Sequence, residues 1–192
     1  MNKILLSFFF LVFFIEKAFS EEIKTIYEGN IDAKIEIIVF ESLTCSHCAN
    51  FHKKVYPDLK KNFIDNGNVK IEFRNFPLDM AALNASKISH CRNDGDSKIL
   101  HLLFDKQNEW VKGSTIEDAN LNLKELIKNH KLNLEFDKCI NNKYVEDHIL
   151  QDRIDAVKKF NINATPTLII NNKKFEKPLT YKNLKKALEK LI

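Results

Sequence analysis

"SLTCSHCANFH", residues 42–52, places two cysteines three positions apart with a histidine between them. The stretch before it, "AKIEIIVFES" from Ala33, is β-branched and apolar, so it predicts a buried strand that stops at the cysteines. After it, apolar side chains recur every four residues and predict one face of a helix from Ser46 to Asp65. The recurring positions are Phe51, Val55, Leu59 and Phe63. The sequence therefore predicts a strand-to-helix junction with a Cys-x-x-Cys motif where the helix begins.

The next segments predict a second strand and then a block of helices. Pro57 falls inside the helical pattern and predicts a kink, and Gly67 in "DNGN" is a candidate C-cap. "VKIEFRNF", from Val69, then alternates as a strand does. Amphipathic helical stretches joined by polar loops follow. They are Ala81–His90, Ile99–Val111, Leu121–His130 and Tyr144–Phe160.

Strand signals return at "PTLIINNKKFE", residues 166–176. Two short runs there flank Asn171 and Asn172, and asparagine tolerates the positive φ angles of a tight hairpin. Thr180 is predicted to cap a last helix. Its inward face is predicted to carry Leu184, Leu188 and Leu191. The order of elements predicts an α/β fold whose sheet is interrupted by a helical insertion, too long for a simple crossover connection.

Length and composition fit one domain, or one domain carrying an insertion. The chain has 192 residues, of which 44% are hydrophobic, so it can bury a substantial core. Its net charge of +4 is small for this length, and no run of Lys and Arg is dense enough for a nucleic-acid surface. The charges therefore indicate an ordinary solvated surface.

The N-terminal segment, "MNKILLSFFFLVFFIEKAFS", is typical of a signal peptide. It has an early lysine, an apolar run from Ile4 to Ile15, and the small residues Ala18 and Ser20 before a predicted cut after Ser20. The run is shorter than the roughly 20 apolar residues of a membrane span, although an uncleaved anchor remains the alternative. Export would place all four cysteines in an oxidising compartment, where disulfides persist.

Cys45 and Cys48 form a candidate redox dithiol. A helix N-terminus stabilises a thiolate through its unpaired N–H groups and its dipole, so we expect Cys45 to be the exposed cysteine with the lowered pKa. Cys48, one turn into the helix, is expected to be more buried and to resolve a mixed disulfide. His47 is a candidate cation or hydrogen-bond donor beside the Cys45 sulfur.

Two other interpretations of the motif stay open. A zinc half-site would need further ligands. His52 lies one turn past Cys48, but the other cysteines do not form a second Cys-x-x-Cys. A structural disulfide across two intervening residues would close too small a loop to restrict the unfolded chain much. His52 itself is predicted to be a solvent-facing helix residue.

These motifs resemble those of the DsbA-like thiol–disulfide oxidoreductases of the thioredoxin superfamily. "SLTCSHCANFH" is similar to their Cys-x-x-Cys junction, and "NATPTLIINNKKF" is similar to their second signature, a Thr-Pro before a returning strand. The likeness extends from Ile35 to Ile192. The resemblance implies a thioredoxin fold with an inserted α-helical domain. The implied divisions are a signal peptide (1–20), a first thioredoxin part (21–78), the insertion (79–160) and a second thioredoxin part (161–192).

The resemblance also implies roles for residues outside the motif. It implies a cis peptide bond before Pro166, which would bring Thr165 next to Cys45, where the Thr165 backbone could pair with an extended substrate chain. The family often has a buried acidic residue six positions before the first cysteine, where it helps to move protons. Val39 stands at that position here. Glu41, on the same strand face, is either its substitute as a proton relay or simply exposed.

The other two cysteines are assigned a structural role by the resemblance. With Cys45 and Cys48 as the active pair, Cys91 and Cys139 remain, and some DsbA-like proteins carry a comparable non-catalytic disulfide in this region. A structural Cys91–Cys139 bond is therefore implied, and free or redox-active thiols are the alternative.

The function implied by the resemblance is that of a periplasmic, monomeric dithiol oxidase that introduces disulfides into reduced, newly exported polypeptides. Reoxidation would need a DsbB-like membrane quinone reductase, and no metal, organic cofactor or nucleic-acid partner is expected. A reductase or disulfide isomerase of the same fold is one alternative. Isomerases of this superfamily usually carry an N-terminal oligomerisation segment, and only the residues from Glu21 to Ile31 precede the first predicted strand. A non-catalytic binding or chaperone module that keeps a structural Cys-x-x-Cys is the alternative of another class.

Overall fold

The computed structural model describes residues 22–192, so the predicted signal peptide lies outside the described residues. The sheet has the strand order β1-β3-β2-β4-β5. The strands are β1 (Ile26–Glu28), β2 (Ile35–Glu41), β3 (Val69–Asn75), β4 (Thr167–Ile170) and β5 (Lys173–Lys174). The helices are α1 (Ser46–Lys54), α2 (Tyr56–Leu59), α3 (Met80–Ser89), α4 (Lys98–Asp105), α5 (Gln107–Trp110), α6 (Ile116–Asn129), α7 (Phe136–Ile140), α8 (Lys143–Phe160) and α9 (Tyr181–Leu188), with a π-helical turn (Lys60–Ile64) after α2. This is a thioredoxin fold, in which α3–α8 separate β3 from β4 along the chain.

The central strand β2 is buried on both faces. It pairs parallel with β3 and antiparallel with β4, so that Ile37 lies between Ile71 and Ile170. Because side chains alternate along a strand, Ile37 and Val39 enter the core cluster shared with α1, whereas Ile38 and Phe40 enter the cluster shared with α8. This two-sided burial explains the unbroken apolar run that predicts β2 in the sequence.

The first strand lies earlier in the chain than the sequence predicts. β1 is only three residues long and pairs antiparallel with β3 at the sheet edge, where Ile26 is opposite Phe73. A three-residue strand gives almost no alternation to detect, and the expectation that no strand precedes Ala33 is wrong.

The predicted helix from Ser46 to Asp65 is interrupted at Val55, two residues before Pro57, where the sequence predicts a kink. α1 ends at Lys54, and α2 begins two residues later. Pro57 lies in the first turn of α2, where a backbone N–H has no acceptor within the helix, so the N–H that proline lacks costs no helical hydrogen bond. The π-helical turn then continues to Ile64. Gly67 follows with a φ of +78°, which suits the predicted end of the helical segment.

The insertion contains helices that the apolar pattern locates only in part. α6 begins five residues before the predicted Leu121, because Thr115 and Asp118 form a capping box at its start. The predicted helix Ile99–Val111 is interrupted at Lys106, and α7 has no counterpart among the predicted helices. α7 carries Cys139, which the structure bonds to Cys91 with a Cα–Cα distance of 5.2 Å.

The C-terminal hairpin is confirmed, and the last helix is shorter than predicted. Asn171 and Asn172 have φ angles of 45° and 64°, as a tight turn requires. Thr180 accepts a hydrogen bond from the Asn183 N–H and caps α9. Leu184 and Leu188 are buried, but Leu191 is 45% exposed because the helix ends before it, so its predicted inward position is wrong. Within residues 22–192, no helix has the length and apolar character needed to cross a bilayer.

Candidate active site

Cys45 is the residue at which β2 gives way to α1. It adopts an extended conformation, with φ −77° and ψ 118°, and is the N-cap of α1. Cys45 is partly exposed, whereas Cys48, one turn later, is fully buried. Both thiols are free in the structure. The two sulfurs thus occupy different environments within one helical turn, as the motif predicts.

The surroundings of Cys45 favour its thiolate. The pKa of Cys45 is lowered to about 5 against the opposing effect of burial, and the Cys48 thiol makes the largest contribution by hydrogen bonding to the Cys45 sulfur. The backbone N–H groups of Cys48 and His47 contribute to this lowering of the pKa. These N–H groups belong to the first turn of α1, where they have no helical acceptor.

The surroundings of Cys48 have the opposite effect. Burial is the largest cause that raises the pKa of the Cys48 thiol, and the neighbouring Cys45 and the charge of Glu41 raise it further. The backbone N–H of Ser42 faces the sulfur and lowers the pKa in part. Cys45 is therefore the better leaving group and Cys48 is the thiol that holds its proton.

A cis peptide bond joins Thr165 to Pro166, the geometry that the resemblance implies. The Cys45 thiol donates to the Thr165 carbonyl at 3.4 Å. The Thr165 hydroxyl is buried and has no hydrogen-bond partner among the described residues. A groove of about 370 Å³ opens beside Thr165 and Pro166, and its lining includes His47 and Leu179.

The loop before Cys45 is held by a residue from the insertion that sequence reasoning missed. The Gln107 side-chain amide donates to the Leu43 carbonyl at 2.7 Å and to the Cys45 carbonyl at 3.1 Å. Gln107 is only 6% exposed. Its position, four residues after Leu103 on the apolar face of the predicted helix, was the available signal, because a buried amide needs polar partners.

Two further polar residues connect this loop to α3. The Thr44 hydroxyl donates to a carboxylate oxygen of Asp79 at 2.8 Å. Asp79 is also the N-cap of α3 and accepts from the Ala82 N–H at 2.7 Å. The residue before the reactive cysteine is therefore tied to the start of the insertion.

Glu41 is buried, which removes the alternative that it is simply exposed. It is 2% exposed, and one of its carboxylate oxygens lies 2.7 Å from His52 Nε2. Its other oxygen is buried with no hydrogen-bond partner among residues 22–192. Val39, at the position of the family's acidic residue, is fully buried in the core.

The prediction that His52 faces solvent is wrong. Its side chain is 6% exposed, and its ring stacks on Phe104 with centroids 4.0 Å apart. The apolar spacing of α1 gave no sign of this, because the partners of His52 come from distant segments.

His47, by contrast, is exposed, and its contribution to the Cys45 sulfur is a backbone N–H. In the described part of the chain, no group of three or more His, Cys, Asp or Glu side chains is arranged to hold a metal ion.

Comparison with known proteins agrees with the geometry. The family model described as Thioredoxin matches residues 21–190. The crystal structure of Wolbachia pipientis alpha-DsbA1 is 30% identical with a TM-score of 0.78, over 87% of this chain and 90% of that one. Oxidised BdbD from Bacillus subtilis is 26% identical with a TM-score of 0.70, over 87% and 92% of the two chains. Disulfide bond formation protein D of Bacillus subtilis is 29% identical over 173 residues, which are 84% of this chain and 74% of that protein.

The chain therefore belongs to the thioredoxin family, and within it to the DsbA-like thiol–disulfide oxidoreductases. Curated relatives from Rickettsia bellii and Rickettsia prowazekii are longer. The matched residues cover 63% and 60% of their lengths, at 24% and 23% identity.

Proposed function

We propose that the protein is an exported dithiol oxidase that introduces disulfides into reduced polypeptides through Cys45 and Cys48. The observation that carries this proposal is the contrast within the pair. Cys45 is partly exposed beside the cis Thr165–Pro166 bond with a pKa lowered to about 5, while Cys48 is buried with a raised pKa. The names of two relatives, a disulfide bond formation protein and a DsbA, agree with this chemistry.

The reaction begins with the oxidised Cys45–Cys48 bond. A substrate thiolate attacks the Cys45 sulfur, a substrate–Cys45 disulfide forms, and the Cys45–Cys48 bond breaks with the electron pair on the Cys48 sulfur. Because the pKa of Cys48 is raised, this sulfur takes up a proton. A second substrate thiolate then attacks the substrate sulfur of the mixed disulfide, and Cys45 leaves as a thiolate. The substrate loses two electrons, and the protein gains them as a dithiol.

The lowered pKa of Cys45 sets the direction of exchange. Stabilisation of the thiolate stabilises the reduced protein and so makes its disulfide a stronger oxidant. The N–H groups at the start of α1 and the Cys48 thiol supply this stabilisation without a formal positive charge. His47, which is exposed, is proposed as a cation or hydrogen-bond donor beside the Cys45 sulfur.

The cis Thr165–Pro166 segment is the proposed substrate-binding edge. Because the Thr165 backbone lies against the Cys45 sulfur, an extended substrate chain that pairs with it would present its own sulfur in line with Cys45. Glu41 is proposed as the group that exchanges a proton with Cys48. Cys91 and Cys139 are proposed to have a purely structural role. The proposed thioredoxin parts are residues 21–78 and 161–192, and the proposed insertion is residues 79–160.

Export through residues 1–20, a periplasmic location, action as a monomer and reoxidation by a DsbB-like membrane quinone reductase complete the proposal. The reaction as written needs no metal and no organic cofactor, since electrons pass only between sulfur atoms. A reductase or isomerase of the same fold would use the same residues in the reverse direction or at a different potential.

The reduction potential of the Cys45–Cys48 pair tests the proposal. Purified protein is equilibrated with graded glutathione buffers, and the reduced fraction is measured by thiol alkylation and mass spectrometry. We expect a potential toward that of DsbA, about −120 mV. A potential near that of thioredoxin, about −270 mV, would instead assign the protein as a reductase.

Trapping of the mixed disulfide separates an enzyme from a binding module. Cys48→Ala is expected to accumulate covalent complexes through Cys45 with a peptide dimer joined by a disulfide. The Cys45 thiolate attacks the peptide disulfide, one peptide sulfur leaves as a thiolate, and the resolving thiol of Cys48 is absent. The Cys45→Ala, Cys48→Ala double variant is the control and should form none. If Cys48→Ala forms no complex either, the motif is a structural staple.

A further inference from the structure

Four buried or half-buried side chains form a continuous line from the reactive pair to the surface. His52 Nε2 lies 2.7 Å from Glu41, His52 Nδ1 lies 3.1 Å from His101 Nδ1, and His101 Nε2 lies 2.6 Å from Glu28. We call this line the buried row, and its members are Glu41, His52, His101 and Glu28. They come from β2, α1, α4 and β1, so the fold rather than the sequence spacing brings them together.

We propose that the buried row carries protons between the Cys48 sulfur and the surface each time the active pair changes redox state. This inference rests on the proposed dithiol chemistry, in which Cys48 gains a proton on reduction and loses it on oxidation. It assigns roles to His52, His101 and Glu28 that the sequence does not predict.

The inner end of the row adjoins Cys48. Cys48 and His52 are four residues apart on α1 and so lie on the same helix face. Glu41 bonds to His52, and the Ser42 N–H, the next residue in the chain, faces the Cys48 sulfur. The free Glu41 oxygen, buried and unpartnered among the described residues, is available to hold the proton that moves to or from this sulfur.

The outer end of the row reaches solvent. Glu28 is 14% exposed and accepts from Lys60, which is 41% exposed and also bonds Asp65. Glu28 also accepts from the Ser97 hydroxyl at 2.6 Å. Burial would raise the pKa of Glu28, but hydrogen bonds, foremost that from His101, hold it below its usual range. Glu28 thus stays ionised and attracts protons to this end.

The hydrogen bonds of the row fix its proton count. In the proposed path each ring donates from Nε2 to a carboxylate, and one of the two facing Nδ1 atoms must carry a hydrogen for the third bond to form. Three hydrogens on four ring nitrogens make one neutral imidazole and one imidazolium. When the shared hydrogen passes from one Nδ1 to the other, the positive charge moves from one ring to the other without a change in the total.

The rings are held in place for this transfer. His52 stacks on Phe104, and His101 stacks on Tyr56 with centroids 4.7 Å apart. Tyr56 also faces His52, at 5.6 Å between ring centroids. The buried row can serve in every catalytic cycle although its rings are fixed. The proton that Cys48 takes up during substrate oxidation returns along the same row when Cys45 and Cys48 are reoxidised.

The test compares His101→Gln with wild type and with His130→Gln, a control at an exposed histidine. Among the described residues, His101 hydrogen-bonds His52 and Glu28 and neither the cysteines nor Glu41. Glutamine keeps a donor for Glu28 but cannot pass a proton on. The oxidised proteins react with a reduced two-cysteine peptide, followed by rapid acid quench and mass spectrometry at pH 7. We expect His101→Gln to slow enzyme reduction at least about tenfold, a modest share of what positioned acid–base groups contribute. We also expect the rate to recover as imidazole buffer is raised at constant ionic strength.

A proton path accelerates both directions equally, so the glutathione equilibrium of His101→Gln should match that of wild type. His52→Gln should show the same slow, buffer-dependent rate. Rates within twofold of wild type and independent of buffer in both variants would overturn the proton path, while exchange by wild type itself would leave the proposed function standing. If wild type does not exchange thiols at all, the proposed function fails instead.

A measurement on unmodified protein covers the case in which a variant does not fold. In ¹⁵N NMR of histidine-labelled wild type, the path requires one ring with both nitrogens protonated and its partner with a bare Nδ1, or averaged signals from rapid exchange of one shared hydrogen. Two rings with bare Nδ1 atoms at pH 7 would break the row and overturn the proposal.

Discussion

The chain carries two pairs of cysteines, and the fold treats them in opposite ways. Cys45 and Cys48 are free thiols within one turn of α1, with pKa values pushed far apart. Cys91 and Cys139 lie 48 residues apart in sequence and are joined in a disulfide between the end of α3 and α7. Cys45 and Cys48 lie at a helix N-terminus beside the cis Thr165–Pro166 bond. In the described part of the chain, Cys91 and Cys139 have no cis peptide bond beside them.

The difference shows that reactivity comes from the setting of a cysteine pair and stability from the length of the loop it closes. A bond between Cys45 and Cys48 restricts almost none of the unfolded chain, whereas a bond that closes a loop of 48 residues restricts much of the insertion. The low pKa of Cys45 makes its thiolate abundant at neutral pH, which a disulfide exchange site needs.

The largest effect is expected at the reactive pair. Cys45→Ser should reduce disulfide exchange with a reduced two-cysteine peptide to the uncatalysed rate, because Cys45 forms the mixed disulfide. At pH 4, where Cys45 of the wild-type protein is mostly protonated, its melting temperature should stay close to that of the reduced wild-type protein. Residual exchange through Cys91 or Cys139 would contradict the division of roles between the pairs.

The structural pair should show the reverse behaviour. Cys91→Ser with Cys139→Ser should lower the free energy of unfolding by about 4 kcal/mol, since that is the loop-closure contribution of a loop of this length. Guanidinium denaturation of oxidised protein measures the loss. The exchange rate of the folded double variant should remain within about twofold of wild type, and a loss of exchange without a loss of stability would reverse the assignment.

Gln107 connects the insertion to the reactive pair. Gln107→Leu removes a donor from the Leu43 and Cys45 carbonyls and leaves the buried Leu43 carbonyl without this hydrogen bond, which should cost about 1–3 kcal/mol of stability. Asn108→Leu, at the exposed neighbouring position, is the matched control and should change stability little. Equal denaturation midpoints for the two variants would show that the Cys45 loop does not depend on Gln107.

The pH dependence separates the two pairs directly. With a pKa of about 5, Cys45 in reduced protein should be alkylated by iodoacetamide at a constant rate from pH 9 to 6 and about tenfold more slowly at pH 4 than at pH 7. The folded pKa is depressed, so the thiolate stabilises the reduced fold above the unfolded pKa of about 8.5, and this stability is lost as pH falls toward 5. Cys45→Ala should lack this dependence. An alkylation midpoint near pH 8.5 would contradict the lowered pKa.

The parts of this fold that sequence predicts well are those with strong local signals. The two-sided apolar run of β2, the Cys-x-x-Cys at its end, and the Asn171–Asn172 turn each carry their own pattern within about ten residues. The edge strand β1 and the short helix α7 were missed because three to five residues give too little periodicity.

The site was predictable only where its parts follow one another in the chain. The position of Cys45 at the helix start follows from local order, and the placement of Thr165 against it came from the resemblance. The burial of His52 and the reach of Gln107 depend on contacts with β2, α4 and the Cys45 loop, which no local pattern encodes. Long-range polar contacts of this kind are what separates the predicted site from the observed one.

The smallest effect concerns a polar contact that joins the regions of both pairs. Asp79 caps α3, whose far end leads to Cys91, and accepts from Thr44 beside Cys45. Asp79→Ala should lower the free energy of unfolding by about 1 kcal/mol, as the loss of an N-cap does. Thr180→Ala, at the exposed N-cap of α9, should cost about the same and serves as the matched control. If Asp79→Ala also changes the exchange rate and Thr180→Ala does not, the start of the insertion helps to position the Cys45 loop. Equal exchange rates in the two variants would leave Gln107 as the contact through which the insertion acts on that loop.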